Sequence, residues 1–100
     1  LEVLLSGSRM VEVEVDFADG DEPPQNTPYL FVTVFRMVDG KKAEERALWD
    51  RGVYRFRIQL KEAGTRFVQV RMAGYVTENQ RVLILDDRTV RTSFVLHRSK

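Results

Sequence analysis

The chain has 100 residues, of which 43% are hydrophobic and 31% charged, and its formal net charge is +1. That is the composition of one globular domain, too short to hold a separate catalytic domain beside a core. With no cysteine there is no disulfide framework and no thiolate metal site, and no apolar run approaches the ~18 residues of a membrane-spanning helix.

The opening "LEVLLSGSRM" lacks the basic region and apolar core of a signal peptide. Starting on Leu1 with Met10 following, residues 1–10 read as an N-terminal extension of an excised piece or as a vector remnant, and residues 11–100 as a single domain. In "MVEVEVDF", Val11, Val13, Val15 and Phe17 fall on one side and Glu12, Glu14 and Asp16 on the other, the period of two of a half-buried strand. "ADGDEPPQNTP" (18–28) is a loop, since its prolines cannot supply ladder hydrogen bonds. Its acidic members, with the preceding Asp16, give a weak Ca²⁺ candidate: Asp16, Asp19, Asp21 and Glu22 are oxygen donors around a glycine, but without EF-hand spacing. A solvated acidic turn is the better reading of them.

"YLFVTVFRMV" (29–38) is a β-branched and aromatic strand. Asp39-Gly40 after it is the dipeptide of a tight hairpin, because its central residues need positive φ. "KKAEERALW" favours helix by intrinsic propensity, yet nine uncapped residues directly after a hairpin turn make a poor helix. It is expected to be a return strand or irregular edge. "VYRFRIQL" places Tyr54, Phe56, Ile58 and Leu60 inward, and "RFVQVRM" does the same with Val68, Val70 and Met72. "RVLILDD" (81–87) and "TVRTSFVL" (89–96), joined by a short turn, complete about seven short strands with no convincing helix. The expected fold is an all-β, antiparallel sandwich.

The second half of the chain resembles the carboxypeptidase regulatory-like, or transthyretin-like (prealbumin-like), β-sandwich family. The resemblance rests on the turn at Asp50 and Gly52, the strand pair Tyr54 and Phe56, and the next strand with Gly64, Thr65, Val68 and Val70. Gly74 and Tyr75 and the closing "TSFVL" extend it over residues 49–96. It implies a non-enzymatic module, often one bead of a larger cell-surface or secreted protein, and hence an extracytoplasmic location. Two residues in this segment depart from the family pattern and are its first candidates for a binding site: Arg66 stands where an aromatic is usual, and Phe67 where an outward polar residue is expected.

Catalytic and cofactor motifs are lacking. His97, close to the end of the chain, is the single histidine, so a histidine-based triad or cluster has no partners. No Gly-rich phosphate loop occurs, and no cofactor is expected. What remains is surface chemistry. Trp49 and Phe67 are aromatics placed among polar residues, where such rings usually cap the edge of a core but also suit a partner's surface or, with Tyr29 or Tyr75 beside Trp49, stacking on a sugar. Arg55, Arg57 and Arg71 alternate with core residues. If "KEAGT" closed a direct hairpin, Arg55 would face Arg71 and the like charges would call for an anion or a flanking acidic strand. If it turns a corner between two sheets, as the resemblance implies, the arginines divide between two outer faces.

The net charge also hides an imbalance. Residues 1–50 hold 5 Lys/Arg against 11 Asp/Glu, and residues 51–100 hold 11 against 4. Such halves either build a basic surface or pair their charges across neighbouring strands. The expected function is therefore a structural or adhesive module binding a protein, a glycan or its neighbouring domains. A carbohydrate-binding module is the second reading, and an anion- or nucleic-acid-binding domain the third.

Overall fold

Alternation along the chain builds seven strands among the described residues. In the computed structural model, which describes residues 9–18, 28–86 and 88–99, these are β1 (Arg9–Phe17), β2 (Leu30–Val38), β3 (Lys41–Asp50), β4 (Arg55–Gln59), β5 (Gly64–Met72), β6 (Glu78–Ile84) and β7 (Arg88–Leu96). They form two sheets, one in the order β4-β1-β7 and one in the order β3-β2-β5-β6. The inward residues meet between them: Val11, Val13, Val15, Phe56, Ile58, Phe94 and Leu96 on one side, and Leu30, Val32, Val34, Val68, Val70, Met72, Val82 and Ile84 on the other. Each such side chain contributes about 1.5–3 kcal/mol on burial, which is why the period of two is kept so strictly through β1, β4, β5 and β7. The expected all-β sandwich of about seven strands is what the chain forms.

Pairing is antiparallel except between β1 and β7, which run parallel over nine registered residue pairs from Arg9–Arg88 to Phe17–Leu96. Parallel neighbours need a long crossover, and here the connection runs through β2 to β6, including the whole opposite sheet. β1 begins at Arg9, so Arg9 and Met10 belong to the folded unit; residues 1–8 lie outside the described residues.

The hairpin at Asp39-Gly40 has φ of 53° and 77°, the left-handed pair that a two-residue turn between twisted strands requires. It returns the chain as β3, a full-length edge strand rather than a helix. Tertiary pairing with β2 thus overrides the helix preference of "KKAEERALW". The strand keeps one irregularity. Between the pairs Val34–Arg46 and Arg36–Ala43, Glu44 and Glu45 stand opposite the single residue Phe35. Glu44 takes a left-handed φ of 52°, so this is a β-bulge that twists the edge. With Lys41, Lys42 and Arg46 exposed along the same strand, the bulge guards the edge against adventitious strand pairing.

The corner at residues 60–63 carries the chain from β4 in one sheet to β5 in the other. Single side chains stitch the two long sides of the sandwich. On one, Arg46 donates to the Gln59 carbonyl at 3.0 Å. On the other, Gln80 Nε2 donates to the Ser93 carbonyl at 2.7 Å, and the buried Thr92 hydroxyl donates to Gln80 Oε1. One end is closed by Phe17, whose ring lies edge-on to Tyr54 at 5.3 Å and to Tyr75 at 5.2 Å.

Candidate functional site

The outward residues of the four-stranded sheet follow from the parity of β2. With Leu30, Val32 and Val34 inward, Phe31, Thr33 and Phe35 point out. Register then sets Trp49 of β3 and Arg71 of β5 on either side of Phe31, and Phe67 beside Phe35. The result is two aromatic groups on one face. In the first, Phe31 lies 6.5 Å from Trp49 and 6.2 Å from Tyr29. The Arg71 guanidinium sits 5.0 Å over the Phe31 ring, and that of Arg51 4.5 Å over Tyr29. In the second, Phe35 and Phe67 stack at 5.7 Å, with the Lys42 ammonium 4.6 Å from the Phe35 centroid. Each cation–π contact contributes about 0.5–1 kcal/mol at an exposed site and fixes the ring it covers. Trp49 remains 59% exposed, and Leu83 on β6 56% exposed.

The outer face of the three-stranded sheet is different in kind. Arg55 reaches Glu14 at 2.6 Å, and Glu12 is shared by Arg57 at 3.4 Å and Arg91 at 3.3 Å. These are cross-strand pairs between residues of the acidic first half and the basic second half, so on this face the charge imbalance of the sequence is matched strand against strand. Arg55 and Arg57 therefore lie on one outer face and Arg71 on the other, and the structure does not bring the three together.

Arg66 follows the inward parity of Val68, Val70 and Met72 and is 4% exposed, while its neighbour Phe67 points out, as their positions in the strand require. The Arg66 guanidinium donates to the carbonyls of Thr65 at 3.0 Å and Glu62 at 3.2 Å. Of the Ca²⁺ candidates, Asp16 is exposed on β1, and Asp19, Asp21 and Glu22 lie outside the described residues. Among the described residues, no group of three or more His, Cys, Asp or Glu is placed to hold a metal ion, and no helix is long and apolar enough to cross a membrane. His97 is exposed just beyond β7, its carbonyl accepting from the Val76 N–H at 2.8 Å.

Sequence reasoning singled out Trp49, Phe67 and Arg71 but not Phe31, Phe35, Arg51 or Leu83. The signal for the two phenylalanines lies in "YLFVTVFRMV": once Leu30, Val32 and Val34 are turned inward, two large aromatics are left on the outer face. Arg51 and Leu83 carry no comparable mark, because only the folded sheet brings them to the rim.

No family model matches the chain, and no curated protein matches it in sequence. In three dimensions it is similar to the crystal structure of GBS52, the minor pilin of the Gram-positive pathogen Streptococcus agalactiae. The two share a TM-score of 0.64 at 14% sequence identity, over 95% of this chain and 46% of the pilin chain. At that identity the likeness is one of fold. The chain spans just under half the length of the pilin it matches.

Proposed function

We propose that this chain is a non-catalytic structural or interaction module of a larger extracytoplasmic protein, a sandwich of the transthyretin-like type. Its docking surface is the aromatic outer face of the four-stranded sheet, and its partner there is a protein surface or a neighbouring domain. The observation that carries this reading is the exposed Trp49 beside the Phe31–Tyr29 pair, held in place by Arg71 and Arg51. Trp, Tyr and Arg are the residues that dominate the energetics of protein interfaces, and rings already immobilised lose little entropy on docking. The chemistry displayed is stacking and ion pairing, which binds rather than reacts. The likeness in fold to part of a pilin is in keeping with a bead-like module.

A glycan platform is the second reading, favoured by the open indole of Trp49. It is weakened because Arg51 and Arg71 already cover the neighbouring rings and because Tyr75 is drawn into the Phe17 cluster instead. The test is an isotope-labelled sample titrated with the adjoining domains of its parent protein, in parallel with a glycan array. Shifts at Phe31, Trp49 and Arg71 that vanish in Trp49→Ala support protein docking. Array binding abolished by the same substitution assigns the face to sugar instead.

A further inference from the structure

On the side of the sandwich where β3 and β4 face each other lies a cleft of about 580 Å³, bounded by the corner at Leu60 and Lys61 and by the bulge at Glu44 and Glu45. Its floor includes Arg66, which is 4% exposed. A guanidinium carries five N–H donors, and two hydrogen bonds, to the carbonyls of Glu62 and Thr65, are the ones it makes within the fold. No carboxylate among the described residues lies within ion-pair distance of it. A buried charge is ordinarily paired, and an inward aromatic or aliphatic residue would satisfy the core at this position without that cost.

The surroundings are cationic as well. Arg46 and Lys61 share the rim with Arg66, whereas Arg9, in a second depression beside Leu60, is already paired with Asp86 at 2.6 Å and adds no open charge. Of the two carboxylates on the bulge, Glu44 is engaged by Arg36, which leaves Glu45 as the opposing charge. The corner is also shaped around the guanidinium. Gly64 has φ of 130°, and a Cβ there would meet Arg66 Nη1 at 3.2 Å.

We infer that this cleft is a binding site for a small oxyanion, a phosphate, sulfate or carboxylate group, with Arg66 as the buried ligand and Lys61 and Arg46 at the rim. Planar, multi-donor recognition of such groups is what a guanidinium does best. The site is separate from the aromatic face and does not depend on how that face is used.

The test is a titration of isotope-labelled protein with sodium phosphate and, in a second series, with sodium acetate, at ionic strength held constant with chloride so that screening does not change. Saturable shifts of the Arg66 Nε–H and of the amides of residues 61–66 in either series are expected, and which anion saturates the site separates a tetrahedral from a planar ligand. Arg66→Met, which keeps the inward packing, is expected to weaken binding roughly tenfold or more. Lys61→Gln, at an exposed position, is expected to weaken it about two- to fivefold. Shifts that stay linear with both anions overturn the proposal, as do shifts that Arg66→Met reproduces. Should Arg66→Met fail to fold, Lys61→Gln decides, and an unchanged titration in that variant overturns the assignment.

Discussion

The two outer faces of the sandwich are built on the same backbone geometry and carry opposite chemistries. Over the three-stranded sheet, Glu12 and Glu14 meet Arg55, Arg57 and Arg91 in pairs held at the surface. Over the four-stranded sheet, rings replace carboxylates as the partners of the cations, with Arg71 on Phe31, Arg51 on Tyr29 and Lys42 on Phe35. The first arrangement neutralises charge against charge. The second leaves its cations without a carboxylate in those contacts, spread over apolar area that another surface can cover. An ion-pair ladder looks after itself, whereas a cation–aromatic face gains most when a partner removes the water around it.

That difference can be broken at defined points. The largest effect on stability is expected at Phe35, which is 6% exposed although it lies on an outer face. Phe35→Ala removes the stack with Phe67 and the contact with Lys42, and should cost about 2–4 kcal/mol in chemical denaturation. A loss below ~1 kcal/mol would mean that this half of the face contributes no more than ordinary surface. Next comes Glu12→Gln, which removes the shared carboxylate of Arg57 and Arg91. It should cost at most about 1 kcal/mol at low salt, and the difference from the parent should shrink towards zero in ~1 M NaCl. A salt-independent loss would show that Glu12 acts through packing. The smallest effect on folding is expected from Trp49→Ala, within about 1 kcal/mol because the indole is exposed, although the same change removes the anchor of the proposed docking face. A large loss of stability there would make Trp49 a structural cover rather than a contact residue.

Much of this architecture was legible because local rules and the core agree. The alternation in "MVEVEVDF" and "VYRFRIQL" places the inward residues correctly, since one face of each strand must be buried and a slip by one residue would reverse it. Asp39-Gly40 marks the hairpin, and the turn then predicts β3 against its own helix propensity. The unusual parity of Arg66 and Phe67 was visible for the same reason. What the sequence does not display is long-range pairing. The parallel contact of β1 with β7 joins segments separated by the rest of the chain, and no local pattern encodes it. Contacts such as Arg51 on Tyr29 or Gln80 on Ser93 likewise arise only when strands from different parts of the chain are brought together. The cleft at Arg66 shows both limits: its buried cation could be anticipated from register, but the neighbours that line it come from the bulge on β3 and the far side of the corner.

The parallel β1–β7 pair has a mechanical consequence. Because the two strands run the same way in full register, the start of β1 at Arg9 and the end of β7 at Leu96 lie at opposite ends of one hydrogen-bonded ladder. Tension applied between those two points pulls the strands past each other lengthwise, so the bonds of the ladder share the load and must fail together instead of peeling open one at a time. Domains joined end to end through these strands would form a chain whose links resist stretching where they are joined.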